Sequence, residues 1–242
     1  MMHPAAYGAS SPLGAPFMAK PAALSTIDAG VLGEFVSKEF VPSKMVLAAA
    51  GYDHEALVSL AKKHFGGLPK GAAGTALAAP GKYVGGESRV SADGDLTHFA
   101  LAFEGVGWKS DKLVALCVLN TMMGGGASFS AGGPGKGMYT RLYQNILNRY
   151  PQVQAASVFN AFYNETGLFG VYGAAPADSM GPLVAALCEE MKKMASGVSG
   201  EELDRAKAQL TSSLMMNLES RAVLFEDIGR QTLVYGQHIP PE

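Results

Sequence analysis

Apolar residues recur at helical and strand spacings along most of this chain, and the two periods alternate in an order that predicts mixed α and β structure. Val31, Leu32, Phe35, Val36 and Phe40 fall on one face of a helix, with Ser25 or Thr26 as its cap and Pro42 as its stop. Lys44 to Ala50 reads as a short buried strand bounded by Gly51. Asp53 then caps a second helix that turns Leu57, Leu60, Ala61 and Phe65 inward and ends at Gly66-Gly67.

Residues 69–86 are Pro, Gly and Ala with little periodicity and read as a linker. Beyond it the expected order is strand, helix, strand, strand, helix, helix. Thr97 to Phe103 is a short apolar strand, and Asp111 to Met123 is a helix carrying Leu113 and Leu116. Met138 to Tyr150 is helical, with Leu142, Ile146 and Arg149 in register. Val153 to Tyr163 and Leu168 to Ala174 form a hairpin around Asn164-Glu165-Thr166-Gly167. Leu183, Val184, Leu187, Met191 and Met194 mark an amphipathic helix over Met180 to Ala195. Ser199 and Glu202 form a capping box for the next helix, and a last helix covers Ser220 to Tyr235. The fold class is α+β, with an incomplete unit on each side of the linker.

Composition narrows the function classes. Of the 242 residues 48% are hydrophobic, enough for a sizeable core, whereas 17% are charged, below the roughly 25% usual for soluble domains. That shortage of charge points to burial against partner subunits. With a net charge of -2 and scattered Lys and Arg, no basic stripe is available for nucleic acid. Cys117 and Cys188 lie in apolar helical patterns and read as buried thiols. No apolar run approaches the about 18 residues of a membrane span. Met1-Met2-His3-Pro4 lacks the Arg-rich pattern of a transit peptide, Lys20 being the first basic residue, so the expectation is a leader already removed or a chain that begins inside a fold.

Catalytic motifs are wanting. None of the five histidines, His3, His54, His64, His98 and His238, forms His-x-x-Glu-His, and the direct His-Glu-x-x-His motif that starts at His54-Glu55 fails because Val58 takes the second histidine position. Gly-x-Ser-x-Gly is absent as well. No metal or cofactor is expected on this chain.

The informative stretch is MGGGASFSAGGPGKGM, Met123 to Met138. Gly124, Gly125, Gly126, Gly132, Gly133, Gly135 and Gly137 free the backbone from side-chain restriction and let another backbone approach closely. Ser128 and Ser130 add hydrogen-bonding groups, Phe129 an apolar contact, and Lys136 a charge. It is not a phosphate loop: Ser130 stands where the first glycine is required, and Gly137 where a Ser or Thr should follow the lysine.

With Tyr139-Thr140-Arg141-Leu142-Tyr143-Gln144 after it, Phe159-Asn160, Thr166 to Gly170, Met45 to Gly51 and Ala6-Tyr7-Gly8, this loop resembles the glycine-rich loop of the alpha subunits of mitochondrial processing peptidase, within the pitrilysin-like (M16) metallopeptidases. The resemblance covers essentially the whole chain. It implies two similar α+β domains, each a mixed or antiparallel sheet covered by helices and each incomplete here: 1–68 as the end of the first, 69–86 as linker, 87–242 as the larger part of the second. It implies a non-catalytic subunit whose loop, Gly124 to Gly137, receives the basic presequence of imported precursors while zinc sits on a beta-type partner. The implied setting is the matrix side of the mitochondrial inner membrane, with other complex III subunits as neighbours and this chain as a core subunit. A purely structural core scaffold of complex III is the alternative. A second chain completing the subunit is expected if 242 residues is its full length. Glu104, Glu165, Glu189 and Glu190 are candidates to hold a cationic presequence, and Arg141 and Arg149 read as helix-surface cations.

Overall fold

The computed structural model describes residues 1–69, 81–127 and 138–240. Eight α-helices appear among them: α1 (Met2–Tyr7), α2 (Pro21–Leu24), α3 (Ala29–Glu39), α4 (His54–Phe65), α5 (Leu113–Met123), α6 (Met180–Ser196), α7 (Gly200–Leu218) and α8 (Arg221–Tyr235). Four strands, β1 (Thr97–Gly105), β2 (Gly125–Ala127), β3 (Ala155–Phe162) and β4 (Gly167–Ala175), form one sheet in the order β1-β4-β3-β2, antiparallel throughout. None of these helices is long and apolar enough to cross a membrane.

Contacts group the chain otherwise than its linear order does. One compact unit is Met1–Ala15 with Pro80–Leu214, the other Pro16–Ala79 with Met215–Glu242. The N-terminal residues join the first because α1 brings Tyr7, 2% exposed, against the β3–β4 hairpin, where its hydroxyl donates to the Gly167 carbonyl at 3.0 Å.

The first unit is organised by alternation along β4. Phe169, Val171 and Ala175 face one way, into a core with Met123, Leu142, Ile146, Val153, Ala156, Leu183 and Leu187. Leu168 faces the other way, against Ala6 and Tyr7. Strand β4 is buried along nearly its whole length because both faces are covered. Helix α6 closes the first face. A Cβ on Gly173 would stand 2.9 Å from a methyl of Leu183 and one of Leu187, so the missing side chain is what lets α6 lie on the sheet. Each fully buried leucine here contributes about 1.5–3 kcal/mol of apolar burial.

The second unit holds α2, α3, α4 and α8. Its helices start as polar caps dictate, but not always at the expected residue. Asp28 caps α3, its Oδ1 accepting from Val31 N at 2.9 Å, while Ser25 and Thr26 donate back to Ala22 and Ala23. Asp53 caps α4 by accepting from Ala56 N at 2.8 Å. The expected strand over 44–50 is not formed: residues 45–50 are irregular and largely exposed. A strand is held by a neighbouring backbone, and among the described residues no paired strand lies in this unit. For the same reason the apolar face of α3 stays open, with Phe35 58% and Leu32 55% exposed rather than packed inward.

Candidate functional site

The two ends of the glycine-rich segment meet at one place in the first unit. Helix α5 ends with Met122 and Met123 buried, and Gly124 N–H returns to the Asn120 carbonyl at 2.9 Å. To leave the helix and start β2 at once, the chain takes φ 56 at Gly124 and φ 101 at Gly125. Space is refused there too. A Cβ on Gly124 would lie 2.6 Å from the Thr140 hydroxyl, and one on Gly125 would lie 2.8 Å from Ser157 Cα and closer still to the Ala156 carbonyl oxygen. Only glycine meets both conditions.

Short strand β2 pairs Gly125, Gly126 and Ala127 with Ser157, Ala156 and Ala155. Ser128, Phe129, Ser130, Gly132, Gly133, Gly135, Lys136 and Gly137 lie outside the described residues. The chain is described again from Met138. Tyr139 is 71% exposed, and Thr140 is buried with its hydroxyl accepting the Gly125 N–H at 3.3 Å. Thr140 therefore ties the return of the segment to its departure.

The expected helix from Met138 to Tyr150 is shorter and wider. Met138 to Thr140 is non-helical, and Tyr143–Leu147 is a π-helical turn in which Asn148 N–H reaches the Tyr143 carbonyl at 2.9 Å. Such widened turns recur at functional sites. Leu142 and Ile146 point into the core, fully buried.

The polar side of this turn is bolted to its neighbours. Arg141 donates to both carboxylate oxygens of Glu202 near the start of α7, Nε at 2.5 Å and Nη2 at 2.8 Å, and Nη2 also reaches the Gly197 carbonyl at 3.3 Å. The two side chains are 14% and 17% exposed, so Arg141 is not the helix-surface cation expected from sequence. Arg149 is exposed. The capping box at α7 is half made. Ser199 Oγ accepts the Glu202 N–H at 3.2 Å, while the Glu202 carboxylate goes to Arg141 because a charged, two-pronged donor outcompetes a backbone amide. That pairing holds the Glu202 carboxyl below the usual range, chiefly by hydrogen bonding, and raises Arg141.

One turn on, Asn145 Nδ2 donates to Glu190 Oε2 at 3.0 Å. Glu190 is 3% exposed and takes a second bond from Lys193 at 3.0 Å, and Lys193 also pairs with exposed Glu189 at 2.8 Å. Asn145, Glu190 and Lys193 wall a cleft of about 420 Å³ with Tyr139, Gln144 and Arg205.

The acidic candidates are thus not equivalent. Glu190 is engaged within the fold, and Glu189 is paired with Lys193, whose hydrogen bond draws its carboxyl downward. Glu104 accepts from Thr166 Oγ1 at 3.2 Å, and Glu165 is exposed in the hairpin turn beside it. Thr140, Asn145 and the role of Glu202 escaped sequence reasoning. Arg141 and Asn145, four apart, were the available signal of one tethered face.

The histidines are dispersed. His3 bonds the Tyr163 hydroxyl, His54 opens α4, and His98 Nδ1 lies 2.7 Å from the Tyr172 hydroxyl with the rings stacked. Among the described residues no group of three or more His, Cys, Asp or Glu could hold a metal ion. Both cysteines are free thiols, half-buried, and burial pushes that of Cys117 up.

Known proteins resemble this chain in sequence and in fold. The chain is 44% identical over 241 residues to the probable mitochondrial-processing peptidase subunit alpha-1, mitochondrial, of Arabidopsis thaliana, covering 99% of this chain and 47% of that protein. It is 46% identical over 245 residues to the mitochondrial-processing peptidase subunit alpha of Solanum tuberosum (100% and 48% covered) and 38% identical over 249 residues to that of Homo sapiens (96% and 47%). It spans about half the length of these curated relatives. In fold it is similar to a chain of complex III2 from Candida albicans, Inz-5 bound, with TM-score 0.84, 18% identity, and 99% of this chain and 56% of that one covered. The profile of the peptidase M16 inactive domain matches residues 26–210, and the chain belongs to that family.

Proposed function

We propose that this chain is part of the non-catalytic alpha subunit of a mitochondrial processing peptidase, and that its glycine-rich segment receives the presequence of imported precursors for cleavage on a beta-type partner that carries the zinc. Residues 1–68 are then the end of one M16 domain and 87–242 the larger part of the next, joined through 69–86. The observation that carries this reading is the pair of glycines, Gly124 and Gly125, where no side chain fits. They begin the segment and anchor it against Thr140, which lines a polar cleft, in a chain whose whole length matches alpha-subunit relatives. A side-chain-poor segment offers main-chain hydrogen bonds to an extended peptide whatever its sequence, which suits presequences of many sequences.

The subunit sits on the matrix side of the mitochondrial inner membrane as a core subunit of complex III, among the other subunits of that complex. The likeness in fold to a complex III chain and the relatives' names support this setting. A second polypeptide covering the open apolar face of α3 fits the same picture. The rival reading is a core scaffold without a processing role, and the complex III likeness favours it equally.

The two separate on one experiment. Residues 128–137 are replaced by a segment of equal length in which Thr and Gln stand at every glycine, leaving Gly124 and Gly125 in place, and the subunit is reconstituted with its beta partner. Loss of processing with intact assembly is expected; unchanged processing discards presequence reception and leaves the scaffold.

A further inference from the structure

We infer that Arg141 and Glu202 are positioning residues for presequence reception: without touching the peptide, their pair fixes Thr140, and through Thr140 the place from which the glycine-rich segment departs. The inference rests on the reading of that segment given above.

The chain of contacts is short. Arg141 follows Thr140 directly, and its guanidinium is held at three points, two on Glu202 and one on the Gly197 carbonyl. Thr140 is buried, accepts the Gly125 N–H, and fills the space that a Gly124 side chain would need. Gly125 in turn sits against the Ala156–Ser157 backbone of β3. On the next turn, the Asn145–Glu190 bond fixes the helix at a second point and Gln144 N–H holds the Thr140 carbonyl at 2.9 Å, while Arg141 is the side-chain tether adjoining Thr140 in the chain. Glu202 gives up the second half of its capping box for this contact, so helix α7 forgoes a local stabilisation to hold a residue 61 positions away.

Removing the fork releases Thr140 while the apolar contacts of Leu142 and Ile146 persist, which separates positioning from folding. The test uses the subunit reconstituted with its beta partner and a synthetic presequence peptide. Arg141→Gln and Glu202→Gln should each raise KM by roughly 2- to 30-fold, the range for coupling through a contact network, with kcat and assembly unchanged. The double swap Arg141→Glu/Glu202→Arg should recover most of the loss. Hydrogen exchange supplies a second readout: the Gly125 amide should exchange faster in the single variants, while Val171 in the sheet centre keeps its rate. A purely structural pair would move neither KM alone nor Gly125 alone.

KM within twofold of the parent in both single variants, while replacement of 128–137 still abolishes processing, overturns the inference and leaves the proposed function standing. If that replacement has no effect either, the reading falls first and takes the inference with it. Should a glutamine variant fail to assemble, Arg141→Lys keeps the charge without the fork, and parental KM there refutes the positioning role.

Discussion

Gly125→Ala probes most directly whether the departure of the glycine-rich segment is built or merely loose. At φ 101 a Cβ is in the region that costs an L-residue about 1–2 kcal/mol. The added methyl would stand 2.8 Å from Ser157 Cα and nearer still to the Ala156 carbonyl, both on the backbone of β3, which cannot rotate aside as a side chain would. Overpacking of that kind costs typically about 1–3 kcal/mol. The reduced freedom of the unfolded chain offsets about 0.4–1 kcal/mol. The net loss is about 1–5 kcal/mol, or roughly 2–20 °C in Tm for a chain of this size. Urea unfolding followed by fluorescence of the single tryptophan, Trp108, reads the right unit, because its ring lies 5.2 Å from that of Phe162 on β3. Gly181→Ala on α6 is the matched control. Nothing beyond its chain neighbours lies within 4 Å of its added methyl, and because Gly181 is in the first turn and precedes Pro182 the helix gains little, so its shift should be smaller than that at Gly125. If Gly125→Ala unfolds within about 0.5 kcal/mol of the parent, or loses no more than Gly181→Ala does, the steric account of this position is wrong.

Leu187→Ala removes a fully buried contact between α6 and the sheet and should destabilise by about 2–5 kcal/mol in the same assay; a cost below 1 kcal/mol would mean that the sheet is not capped as described. The Glu202 carboxyl is held below its ordinary range by Arg141, so its contribution is full above the unfolded value near pH 4.3 and is lost as pH falls through the lower folded value. The stability gap between the parent and Glu202→Gln should therefore be constant above about pH 5 and close at more acidic pH; a gap that widens in acid contradicts the pairing. Metal analysis of the isolated chain should find no stoichiometric zinc, and one zinc per chain would refute its non-catalytic assignment.

Much of the fold was legible where the signal is local. The β3–β4 hairpin follows from two apolar runs around a polar turn, and α6 from one amphipathic stripe packed on Gly173. Asp53 and Ser220 lie at the starts of α4 and α8 as the sequence indicates. What failed depended on partners distant in sequence. Residues 45–50 have strand composition but no strand to pair with among the described residues, and composition alone does not form a ladder. At α3 three polar residues competed for the cap, and the carboxylate of Asp28 outdid the hydroxyls of Ser25 and Thr26, which turn back on the preceding turn. Arg141 looked like a surface cation because nothing in its own helix announces Glu202.

The glycine-rich segment exposes a sharper limit of sequence reading. By composition the seven glycines between 124 and 137 read alike, as a source of backbone freedom. At Gly124 and Gly125 they serve the opposite purpose: positive φ, a close strand and a buried threonine leave one conformation and no room for a side chain. Freedom and confinement select the same residue, because glycine alone satisfies either demand. Composition therefore cannot say which demand a given glycine answers, and geometry can. The consequence is experimental. A deletion that begins at Gly124 would remove the turn that lets α5 join the sheet, and lost processing would then report misfolding as readily as lost peptide binding. A replacement confined to 128–137 keeps the confined pair and Thr140 intact, so a loss of processing there can be assigned to the segment itself.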